Sequence, residues 1–125
     1  MTAPRLFAGW KLDEQDRLRL LVRFPPIFAQ IVADHVTLRS GADASTALPT
    51  ETSGEVVGEV DDGVGVQALV VRIGGTTERG DGSTFHLTWS LGKGRRAKES
   101  NDVIARHGWQ PLEKPVPIRL LPARF

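Results

Sequence analysis

The tightest constraint on this chain is an alternation that occurs twice. His35-Val36-Thr37-Leu38 and His86-Leu87-Thr88-Trp89 each run His, apolar, Thr, apolar, and they begin 51 positions apart. Period-two alternation over such a stretch is the pattern of a β-strand with one face in a core. Each segment then turns an imidazole and a hydroxyl to one face, about 6 to 7 Å apart at roughly 3.3 Å of rise per residue. The apolar pair of each segment faces the other way.

The surrounding segments predict a mixed α+β chain. Arg5 to Lys11 reads as a strand, and Asp13 followed by Asp16 supplies an N-cap and a favourable first-turn charge for a helix carrying Leu18, Leu21 and Val22. That helix should stop before Pro25 and Pro26, because proline excludes helical geometry from the residue ahead of it. Ile27 to Ala33 is apolar but too short to classify by period, and it reads as linker or a helical turn. His35 to Arg39 is a strand, and Ser40 to Gly54, rich in small polar residues, is a loop. Glu55 to Val60 and Val64 to Ile73 form an antiparallel hairpin, turned at Asp61-Asp62-Gly63 where glycine allows positive φ. After the turn-rich Gly74 to Ser83, Thr84 to Leu91 is a strand and Lys93 to Lys98 a basic loop. Ser100 should cap a helix that ends at Gly108, and Val116 to Leu121, bounded by prolines, should lie at a sheet edge. The order reads as two similar halves, each with its own motif strand.

Composition narrows the chemistry. No cysteine is present, which removes disulfides, thiolate metal sites and cysteine nucleophiles. The 125 residues suit one domain, 1–125, and 40% apolar with 25% charged residues is ordinary for a soluble protein. No apolar run reaches the ~20 residues of a membrane span, and Met1 to Trp10 lacks a signal-peptide pattern, so a cytoplasmic location is expected. A net charge of +1 confines any nucleic-acid contact to a local patch.

Two histidines on opposed strands can serve a phosphodiester. One takes a proton from the attacking oxygen and the other gives one to the leaving oxygen, both near the imidazole pKa of roughly 6.5. Threonine hydroxyls donate to the non-bridging oxygens, where negative charge must be stabilised. One such segment is commonplace on any strand; two among three histidines are not.

The paired motifs resemble those of the 2H phosphoesterases, a family that includes RNA 2′,5′-ligase-like proteins and cyclic phosphodiesterases. The resemblance implies two pseudo-symmetric lobes of antiparallel sheet with flanking helices around a central cleft, here in a minimal member. It implies His35 and His86 as the catalytic acid and base, with Thr37 and Thr88 as phosphate ligands. It implies metal-independent hydrolysis, with no cofactor, of a nucleotide or RNA-end phosphodiester, either a 2′,3′-cyclic phosphate or a 2′,5′-linkage.

Arg39 and Ser90 extend the two polar rows, and Lys93, Arg95, Arg96 and Lys98 follow the second motif, where positive charge suits a phosphate-bearing substrate. Arg39, Ser90, Lys93, Arg95 and Arg96 are therefore further candidate substrate contacts. Trp10, Trp89 and Trp109 are expected in the core, with Trp89 on the apolar row of its strand. His107 closes the second helix and reads as structural. A monomer is expected. The alternatives are a noncatalytic nucleotide or RNA-binding module using the same cleft, a small metalloenzyme joining the histidines to carboxylates such as Asp34 or Asp61, and a partner-binding domain in which the motifs are incidental.

Overall fold

The structure, a computed structural model, describes residues 6–125. Seven strands and two helices follow in the order β1 (Leu6–Leu12), α1 (Glu14–Arg23), β2 (Gln30–Ile31), β3 (His35–Ala42), β4 (Ser53–Asp61), β5 (Val66–Arg72), β6 (His86–Leu91), α2 (Glu99–His107) and β7 (Gln110–Arg124). Arg5, the expected start of the first strand, lies outside the described residues.

All strand pairings are antiparallel, in the order β2-β6-β3-β1-β7-β4-β5, and β5 pairs back onto β6. Six strands therefore close on themselves as a barrel, with β3 and β6 as its most thinly paired neighbours. β2 adds to β6 at Leu91 and Ser90, beyond the point where β3 leaves it. This resolves the stretch read as linker: its middle is a two-residue strand.

The alternation in the sequence fills the barrel. Trp10, Val36, Val56, Leu69, Val71, Leu87, Trp89, Ile118 and Leu120 form one buried cluster, with Leu20 and Phe24 from the end of α1 packed into it. Trp89 Nε1 donates to the Phe24 carbonyl at 2.7 Å and Trp10 Nε1 to the Glu51 carbonyl at 2.9 Å, which satisfies the polar edge of each buried indole. Trp109 packs against the second cluster, in which Val103 and Ile104 of α2 cover Val66, Ala68 and Val70 on the other face of β5. α1 is capped as its sequence predicts, with Asp13 accepting from the Asp16 amide at 3.0 Å. The Asp16 carboxylate then accepts from the Arg119 backbone amide at 2.7 Å and ties the helix to β7.

Two expectations need correction. α2 begins at Glu99 with Lys98 at the N-cap, so Ser100 lies inside the helix, where its hydroxyl meets Thr88. β7 is not an edge strand: it runs 15 residues between β1 and β4 despite four prolines. It pairs with β4 at 110–111 and 116–119 and with β1 over 120–124, so Pro111, Pro117 and Pro122 each have a ladder partner on one side only, and Pro115 falls in the irregularity of the β4 ladder. A residue without an N–H is tolerated under that condition.

Among the described residues, no helix is long and apolar enough to cross a membrane.

Candidate active site at the junction of the motif strands

The two motif strands are neighbours. β3 and β6 share a single ladder position, Val36 opposite Leu87, with both side chains fully buried in the barrel. Beside Thr88 the register shifts: the chain entering β3 there is Ala33, whose amide donates to the Thr88 carbonyl at 3.0 Å. One cavity of about 470 Å³ is lined by all four motif side chains, together with Phe7, Ser40, Arg79, Ala97, Lys98 and Asn101. Ahead of that position Val32 and Ala33 stay bonded to Trp89 and Thr88, and after it β3 leaves β6, with the cavity where the two strands part.

Each ring is held through Nδ1. His35 Nδ1 donates to Asp34 Oδ2 at 3.0 Å, and the same oxygen accepts from Lys11 Nζ at 2.5 Å. His86 Nδ1 donates to the Thr84 carbonyl at 2.8 Å. Both arrangements reserve Nε2 for the cavity. Burial opposes ionisation of Asp34, but the hydrogen bonds from Lys11 and His35 outweigh it and hold the carboxyl below its usual range. Burial also disfavours the charged form of His86. Its bond to Thr84 pulls the other way, but the charges of Arg79 and His35 add to burial and keep His86 below the ordinary histidine value. His86 therefore senses the charge of His35 across the cavity.

A close backbone approach shapes the first motif. A Cβ at Gly9 of β1 would lie 2.2 Å from the Val36 carbonyl oxygen and 2.9 Å from the Leu38 amide. Only glycine allows β1 to pass there. At this point β3 bulges: Ala8 pairs with Arg39 and Gly9 with Thr37, so one step on β1 spans two on β3. The bulge reverses the alternation. Ser40 follows Thr37 onto the cavity, and Arg39 is exposed outside it, contrary to expectation.

The second motif carries the same device. Ala68 pairs with Thr88 and Gln67 with Ser90, so β6 bulges at Trp89. Ser90 turns to the opposite face from Thr88, where its buried hydroxyl donates to Gln67 Oε1 at 2.5 Å and accepts from the Phe28 amide. Ser90 is thus a core polar group rather than a cleft residue. Thr88 does line the cavity, but its hydroxyl donates to the Ala97 carbonyl at 3.2 Å and lies 2.9 Å from Ser100 Oγ, joining β6 to α2. Thr37 remains the motif hydroxyl turned to the cavity without such a link.

The basic loop divides. Arg95 is tied to Asp62 at 2.9 Å and to Glu99 at 3.0 Å, away from the histidines. Lys93 and Arg96 are exposed outside the cavity, and Lys98 is the loop cation that reaches it. Arg79 was hidden in a segment read as plain turn. Its side chain is 13% exposed and donates from Nε and Nη2 to Asp81 Oδ2, at 3.2 and 2.8 Å, while lining the cavity. Asp34 was equally hidden as a partner of His35, since adjacent side chains on a regular strand diverge. They meet here where the chain enters β3 through Ala33, which has φ of 45°.

Among the described residues, no three His, Asp or Glu side chains gather as a metal-ligand set. His107 is exposed at the end of α2 and lines a different hollow. Comparison with protein-family models, with curated proteins and with solved structures finds no match to this chain.

Proposed function

We propose that this protein is a metal-independent phosphodiesterase that acts on a nucleotide or RNA-end phosphodiester, a 2′,3′-cyclic phosphate or a 2′,5′-linkage, by acid–base catalysis between His35 and His86. The observation that carries the reading is the convergence of two imidazoles from separate strands on one cavity, each with Nδ1 already engaged and Nε2 left for a ligand. A phosphoryl group seated between them has a proton acceptor on one side and a donor on the other.

The rest of the wall suits an anion with a sugar attached. Arg79 is braced by Asp81, so its charge is aimed before a ligand arrives, and Lys98 adds a second cation. Thr37 supplies a hydroxyl donor to a non-bridging oxygen. Asn101 Oδ1 is buried with no hydrogen-bond partner among the described residues, an acceptor available to a ribose hydroxyl. Phe7, 38% exposed at the rim, gives a flat apolar surface beside these polar groups.

A two-lobed organisation is part of this proposal. The strands β1 and β3 with α1, and β4 to β6 with α2, would be the two lobes, meeting at the Val36–Leu87 ladder position beside the cleft and joined elsewhere by β7, which pairs with both β1 and β4. The presence of one motif strand in each supports the division.

The test is turnover of nucleoside 2′,3′-cyclic phosphates and 2′,5′-linked dinucleotides in EDTA, alongside His35→Ala and His86→Ala. Loss of turnover in both variants is expected. Turnover that survives both substitutions, or a wild-type protein inert on all these substrates, sinks the reading. Phosphate-dependent binding without turnover would select the noncatalytic module instead.

A further inference from the structure

The two motif histidines share a sequence pattern but not an environment. His35 gives its Nδ1–H to a carboxylate, whereas His86 gives its own to a neutral backbone carbonyl. The His35 ring leans on Phe125, with centroids 4.4 Å apart and planes at 50°, and its side chain is 30% exposed. Across the cavity Arg79 stands close enough to His86 for its charge to act there.

We propose that Asp34 is a positioning residue that makes His35 the proton donor of the pair and leaves His86 to accept the proton of the attacking water. This assignment rests on the phosphodiesterase reading above. A carboxylate on Nδ1 fixes the tautomer, aims Nε2 and stabilises the imidazolium; a carbonyl does only the first two. The charged or titratable groups about His35 are Asp34 beside it, Lys11 from β1 and His86 from β6, while the Phe125 contact from the end of β7 is uncharged. Lys11 opposes a second positive charge, but its 2.5 Å bond to Asp34 spends that charge on the carboxylate and keeps it ionised. Arg79 is likewise paired, with Asp81, yet its charge still acts against protonation of His86. Burial and that cation together favour a neutral ring with a free lone pair.

In the step that follows, the water oxygen bonds to phosphorus and its proton passes to His86 Nε2. The bond from phosphorus to the ribose 2′ or 3′ oxygen breaks, and its electron pair stays on that oxygen. The oxygen takes the proton from His35 Nε2. The product is a phosphomonoester, and the rings, now in exchanged protonation states, reset through solvent.

The experiment compares two substrates that differ in their need for an acid: a nucleoside 2′,3′-cyclic phosphate, which expels an alkoxide, and a nucleoside 4-nitrophenyl phosphodiester, which expels a stable phenolate. Asp34→Asn should lower kcat on the cyclic phosphate by about 10-fold or more with KM within about 2-fold, and change the nitrophenyl ester by less than about 3-fold. His35→Ala should show the same selectivity more strongly, and His86→Ala should lose both substrates. On the cyclic phosphate alone, Asp34→Asn should also move the high-pH limb of the kcat profile to lower pH and leave the low-pH limb in place. The proposal is overturned if Asp34→Asn is silent, if it lowers the rate without changing the profile's shape, or if His86→Ala is the variant that spares the nitrophenyl ester. A wild-type protein inert on both substrates would instead remove the phosphodiesterase reading itself.

Discussion

Val36 and Leu87 stand opposite each other at the one ladder position that joins the two motif strands, and both are wholly buried. The histidines that flank them sit on the other side of the same backbone. Packing behind the sheet therefore sets the geometry in front of it. Leu87→Ala should cost about 2–4 kcal/mol, the range for a leucine removed from a closed core. Urea unfolding measures it, and a loss below about 1 kcal/mol would show that the seam is not held by this pair.

Gly9→Ala should destabilise the fold by about 2 kcal/mol or more, because the new methyl meets backbone atoms of β3 that cannot move aside without disturbing the bulge. Its effect on turnover should exceed its effect on stability, since Thr37 and His35 flank the contact. A thermal melt beside a kinetic assay checks both. Wild-type behaviour in the two would mean that β1 and β3 can separate freely.

His86 ties stability to pH. Its folded-state pKa lies below the unfolded value of roughly 6.5, so the unfolded chain binds the proton more readily. The contribution is fully present above about pH 6.5 and is lost as pH falls toward the folded value. His86→Gln should flatten the stability profile just below pH 6.5. An unchanged slope there, measured by denaturant unfolding at a series of pH values, would assign that pH dependence to other groups.

Arg79→Ala should reduce kcat/KM on a cyclic phosphate by about 100-fold, the loss typical of one aimed donor at a developing oxyanion. Arg39→Ala, on the exposed side of the bulge, should leave it within about 2-fold, as expected where a side chain makes no contact with the site. Steady-state kinetics on the two variants side by side decides the matter; equal effects would place the anion elsewhere.

Arg95→Ala should act on stability and not on turnover. It removes the cation facing the Asp62 carboxylate, whose side chain is 4% exposed, and should lower the unfolding midpoint. Arg95 itself is partly solvated, which keeps the loss below that of a fully buried pair. Lys93→Ala and Arg96→Ala should change neither quantity. A kinetic defect in any of the three would restore the loop to the site.

Local chemistry made much of this molecule legible in the chain alone. The paired alternation marks both motif strands, Asp13 marks the start of α1, Gly63 marks the hairpin and Gly108 the end of α2, because periodicity, capping and positive φ are properties of a few consecutive residues. Those same rules carried the polar rows too far, to Arg39 and Ser90. A bulge is a miscount between two strands, visible only once both are paired. Closure of the barrel, the meeting of β3 with β6 at a single position and the arrival of Arg79 at the cavity are all relations between distant segments. They arise from how the strands pack and register, and no window of neighbouring residues encodes them.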